Sequence, residues 1–73
     1  MAQANSSNSV MTVQLLGSGW AAVQMWLNKE DIPGEEFWEP WNTGFGRYAT
    51  RDEALVEAEA WAKDEGLEMR PTV

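Results

Sequence analysis

Val10 to Asn28 read VMTVQLLGSGWAAVQMWLN, two β-prone arms about Gly17-Ser18-Gly19. Apolar and β-branched residues on both sides of a glycine-rich turn spell a hairpin. In the second arm Ala21, Val23, Met25 and Leu27 alternate with Trp20, Ala22, Gln24, Trp26 and Asn28. Successive strand residues point to opposite faces, so the first set forms a wholly apolar face for a core. The other face then carries Trp20 and Trp26 partly in water. The alanines of Trp20 to Leu27 also suit a helix, but the turn and the companion arm favour the strand.

Beyond the hairpin, the helix signal is strong. Thr50-Arg51-Asp52-Glu53 supplies an N-cap threonine with glutamate three residues on, a reciprocal capping box, and acids in the first turn suit the helix dipole. Ala54, Leu55, Ala58, Trp61 and Ala62 recur at helical spacing and make one apolar stripe. Gly66 closes the helix as a left-handed cap. The outer face carries Asp52, Glu53, Glu57, Glu59, Lys63 and Asp64. Leu67 to Arg70 can return as a short last strand before Pro71.

Between these elements lies NKEDIPGEEFWEPWNTGFG, residues 28–46, without helical period and punctuated by Pro33-Gly34, Pro40, Gly44 and Gly46. Loops of this length are uncommon unless they are functional or hide an element. The composition predicts a turn at Ile32 to Gly34 and a short extended piece at Glu36 to Trp38, which Pro40 ends or confines to a sheet edge. Phe45 to Ala49 reads as a further strand, with Phe45, Arg47 and Ala49 on one face and Gly46 and Tyr48 on the other. Residues 1–9, uncharged and polar, read as a loose tail.

The expected architecture is therefore one α+β domain over residues 10–73. A small twisted antiparallel sheet of three or four strands carries one helix from the C-terminal half on one face. The expected core is Val13, Leu15, Ala21, Val23, Met25, Leu27, Tyr48, Ala54, Leu55, Ala58, Trp61, Ala62 and Leu67.

Composition bounds the chemistry. A chain of 73 residues makes one domain and buries only about 60 % of its unfolded surface. With no cysteine and no histidine, disulfides and the usual zinc, iron and copper ligands are absent, and no cofactor is expected. Five tryptophans, two phenylalanines and one tyrosine supply the large side chains such a core needs. The net charge of −7, twelve acids against five scattered bases, argues against nucleic-acid backbones and anionic lipid. No apolar run is long enough to span a bilayer and the first residues do not read as a signal peptide, so a cytoplasmic location is expected.

Glu30, Asp31, Glu35, Glu36 and Glu39 share the middle stretch, and paired carboxylates can run acid and base chemistry when burial separates their pKa values. Nothing in the sequence signals that burial, and no enzyme activity is expected. Asn28 to Glu36 is rich in oxygens but lacks the alternating acids and central glycine of a calcium loop. Gly17-Ser18-Gly19 has no following lysine or helix to make it a phosphate cradle. Trp20 and Trp26 on a sheet face resemble a stacking platform for bases, yet acids surround them where a basic groove is needed.

Gly19-Trp20-Ala21, with Gly46-Arg47-Tyr48-Ala49-Thr50-Arg51-Asp52-Glu53-Ala54 and Ala58, Ala62 and Gly66, resembles small uncharacterised bacterial domains, short cyanobacterial proteins among them. The resemblance implies a β-meander, one helix and a last strand, and no catalytic residues. The FWEPWNTGFG stretch departs from that pattern's shorter hairpin.

Protein recognition fits the residue types best, because tryptophan, tyrosine and arginine dominate interface hot spots. The expected contact residues are Phe37, Trp38, Glu39 and Trp41, joined by Trp20 or Trp26, on a larger protein that this chain assists or inhibits. The structural alternative folds Trp38 and Trp41 under the loop as a satellite core. Two further readings are an acidic nucleic-acid mimic that blocks a DNA- or RNA-binding protein, and a homodimer formed through the exposed sheet face.

Overall fold

A computed structural model describes residues 8–70. The elements run β1 (Ser9–Leu16), β2 (Gly19–Asn28), β3 (Phe37–Thr43), α1 (Arg51–Glu65) and β4 (Glu68–Met69). They form an α+β fold with a four-stranded sheet in the order β3-β2-β1-β4. β1 and β2 pair as the expected hairpin, Leu16 opposite Gly19, Val13 opposite Ala22 and Ser9 opposite Trp26. The strand thus takes in Ser9, read above as tail, and the Asn8 carbonyl accepts from the Leu27 N–H at 2.8 Å. The rest of the expected tail, residues 1–7, lies outside the described residues.

One correction concerns strand direction. β4 pairs parallel to β1, Val10 opposite Glu68 and Met11 opposite Met69, so the sheet is mixed. The cause is the connection: β3 and β4 both run with β1, and only a crossover can join strands of the same direction. The helix supplies it, contacting β1, β2 and β4 on its way and not reaching β3.

The helix ends are built as the sequence states. The Thr50 hydroxyl accepts from the Glu53 N–H at 3.2 Å while Glu53 Oε1 accepts from the Thr50 N–H at 3.1 Å. Gly66, at φ 69° and ψ 36°, closes the other end in the left-handed region, its N–H donating to the Ala62 carbonyl. Between them Ala54, Ala58 and Ala62, four residues apart, form the buried seam.

A second correction concerns the face. The alanine seam lies on Met11, Val13 and Ala22, the even-numbered face of β2, not on the Ala21-Val23-Met25-Leu27 face expected. Ala22 is small, so the helix can approach closely while Trp20, Leu55 and Trp61 pack around the contact. The odd-numbered face is buried as well, by a second cluster of Val10, Val23 and Met25 with Trp38 against it. Of the expected core, Leu15 is 66 % exposed, Leu27 is half-buried, and Tyr48, Leu55, Trp61 and Leu67 are flanking, half-buried side chains. Leu15 lies near the hairpin turn, next to exposed Gly17 and Ser18.

In the middle stretch the expected turn is present, the Glu35 N–H donating to the Ile32 carbonyl at 3.1 Å. The extended piece is longer than read: β3 runs through Pro40 to Thr43. Pro40 is tolerated because β3 is an edge strand, where a missing donor on the solvent side breaks no ladder. Phe45 to Ala49 is not a strand. It touches the sheet through one bridge, Trp20 and Tyr48 exchanging N–H to carbonyl bonds of 2.8 and 2.9 Å. Just before it the Gly44 N–H donates to the Ala22 carbonyl at 2.8 Å, one step along β2 from the Val23–Thr43 pair.

The candidate docking edge

The edge begins at Asn28, the last residue of β2, which is fully buried. Its Oδ1 accepts from the N–H groups of Glu30 and Asp31 at 3.0 and 3.1 Å, turning the chain out of the sheet. Its Nδ2 donates to Asp31 Oδ2 at 2.9 Å and to Glu39 Oε2 at 3.0 Å. One side chain therefore closes the 29–36 loop and ties β3 back to its start. A buried amide satisfied on both ends is worth keeping, because leaving it unpaired costs about 1–3 kcal/mol.

With β3 anchored, its register places the aromatic residues. Phe37 faces Asn28, Trp38 faces Leu27, Glu39 faces Trp26 and Pro40 faces Met25. A register shift then falls between Gln24 and Met25, leaving Trp41 as the extra residue of a β-bulge before Asn42 rejoins opposite Gln24. Bulges re-aim side chains, and the Trp41 ring meets Trp26 edge-on, centroids 5.6 Å apart and planes at 70°. T-shaped pairs of this kind are worth about 0.5–1.5 kcal/mol beyond area.

The residues singled out from sequence thus divide. Trp41 is 45 % exposed on the solvent side of β3. Trp26, expected partly in water, is buried at 8 % and serves as the floor beneath Trp41. Trp20 is half-buried against the helix cluster. Trp38 is half-buried on Val10, Val23 and Met25, with the Arg70 guanidinium 5.2 Å above its ring. Phe37 and Glu39 are half-buried. The structure therefore brings Trp26, Glu39 and Trp41 together and sends Trp38 to the opposite face.

One exposed aromatic was missed. Phe45 is fully solvated, at 102 % of its reference area. Its signal was the flanking glycines of Gly44-Phe45-Gly46, which a strand reading passes over. Beside this tip the Tyr48 hydroxyl donates to Glu57 Oε1 at 2.7 Å. That bond, then burial, then the negative charges of Glu57 and Glu53, raise the tyrosine above its ordinary 10.0.

Among the described residues no pocket is found, no group of three or more acidic, histidine or cysteine side chains is placed to hold a metal, and no helix is long and apolar enough to cross a membrane. No protein-family model, curated protein or solved structure matches the chain.

Proposed function

We propose that this chain is a small, acidic, non-enzymatic binding factor of the cytoplasm that docks on a larger, basic protein through the solvent face of β3. The observation that carries the reading is Trp41, 45 % exposed yet held edge-on to buried Trp26 on a paired strand. An indole already fixed in place gives large contact area without a large ordering penalty. Glu35 and Glu36, both exposed just before β3, can orient a cationic partner during encounter. Trp38 enters this proposal only as support, because its ring is committed to the second cluster.

The test is capture from a lysate of the native host by the immobilised full chain and by Trp41→Ala. Circular dichroism must show both equally folded. Loss of a basic partner with the variant is expected. Retention of all captured proteins by Trp41→Ala overturns the proposal, as does a wild-type chain that captures nothing.

A further inference from the structure

The edge of the sheet opposite β3 is only partly paired. Among the described residues β4 pairs with Val10 and Met11 and no further along β1, although β1 continues to Leu16. Hydrogen bonding alternates along an antiparallel strand. The Leu27 N–H donates to the Asn8 carbonyl, so the even-numbered positions of β1 turn their N–H and C=O groups toward β2. The odd-numbered positions turn theirs away, as the Met11 carbonyl does in accepting from the Arg70 N–H at 2.8 Å. Val13 and Leu15 therefore direct their peptide groups to the side where, among the described residues, no strand pairs with them.

Natural sheets protect such an edge with a proline, a charge or a bulge. β3 has all three, in Pro40, Glu39 and the bulge at Trp41. The open end of β1 has none. From Ser9 to Trp20 the chain carries no charged residue, and Leu15 stands 66 % exposed beside the open peptide groups.

A row of unpaired N–H and C=O groups accepts an extended strand, and the side chains along it select which strand. We propose that the occupant is the same edge of a second copy, the two β1 strands pairing antiparallel across a two-fold axis into one continuous sheet. A two-fold axis sets a stretch of chain against itself, and an uncharged stretch meets no like charge when that happens. Leu15 then leaves water against the apolar edge of the other copy. The same operation at β3 would bring Glu35, Glu36 and Glu39 toward their own counterparts. The dimer leaves Trp41 free at the far edge of the sheet, so it stands or falls separately from the docking reading above.

The test needs only the purified full chain. Sedimentation across a wide range of concentrations is expected to show a monomer–dimer equilibrium. Amide exchange followed by NMR is expected to find Val13 and Leu15 protected in concentrated solution and fast when dilute. Leu15→Pro removes an outward N–H that no internal ladder uses, and Leu15→Lys places charge on the edge. Each is expected to raise the dissociation constant about tenfold or more with the circular dichroism unchanged, whereas Trp41→Ala dimerises as the wild type does. A wild-type chain that stays monomeric at every concentration overturns the proposal. So does a dimer that both Leu15 variants leave intact or that Trp41→Ala disrupts, since either result puts the contact elsewhere. Val13 and Leu15 amides protected in the dilute monomer overturn it too, because the edge is then occupied within one chain.

Discussion

Away from the hairpin turn β1 and β2 bury both of their faces, while β3 and the loop after it, though rich in aromatic residues, leave Trp41 and Phe45 in water. The two regions differ in what lies over them. The helix crosses β1 and β2 and stops short of β3, so the same kind of side chain is core in one place and surface in the other. On the helix face burial follows the path of the crossover, whereas on the other face Val10, Val23 and Met25 are buried with Trp38 of β3 packed against them. An aromatic edge left beyond the reach of the only helix among the described residues is available for contact.

That contrast is broken or sharpened first at Met11, fully buried between the helix seam and β4. Met11→Ala is expected to cost about 2–5 kcal/mol, the lost transfer energy plus the cavity left behind. Urea unfolding measures it, and a loss below about 1 kcal/mol would mean that the seam is loosely packed and the two regions do not differ as described.

Next in size is Thr12, on the second face of β1, 1 % exposed and with no hydrogen-bond partner for its hydroxyl. An unpaired buried hydroxyl is a net cost, and Thr12→Val removes it at nearly constant shape. A gain of about 1 kcal/mol in unfolding free energy is expected. A loss instead would mean that the hydroxyl finds water and that this face is less dry than the helix face.

These two sites also show what the sequence could tell. The hairpin and the helix were legible because their signals are local: period-two alternation about a turn, a threonine and glutamate three apart, alanines at every fourth position. The helix-bearing face was not, since Ala21-Val23-Met25 and Trp20-Ala22-Trp26 both suit burial and the choice depends on which face accepts an alanine seam. The parallel direction of β4 depended on the crossover, which no short window contains. Pro40 concealed a strand because only the sheet order reveals that β3 is at the edge. Trp41 was marked by residue type, whereas Phe45 was not, because its tip is set by Arg47, Ala22 and Glu57 from elsewhere in the chain.

The tip itself can be read optically. Tyr48 is the only tyrosine, so tyrosinate absorbance during an alkaline titration reports on it alone. Its midpoint is expected above 10.0. Because the folded value is raised, the stabilisation from the Tyr48 to Glu57 bond is complete below 10.0 and disappears as pH climbs through the folded value. Gly46→Ala forces the Glu57 carboxylate aside, since a methyl there would overlap both partners. The midpoint should fall back toward 10.0, and an unchanged midpoint would show that Glu57 does not hold the tip.

The smallest effect on stability belongs to Phe45. Its ring touches nothing that folding would deprive of water, so Phe45→Ala should leave the unfolding free energy within about 0.5 kcal/mol of wild type. Chemical denaturation of the two proteins decides it. A loss comparable with that of Met11→Ala would place the ring in the interior in solution and dissolve the distinction between the two regions. Near-equality would instead show a large aromatic group that the fold holds in place without drawing stability from it. This one substitution therefore separates a residue that the fold needs buried from one that it leaves in water.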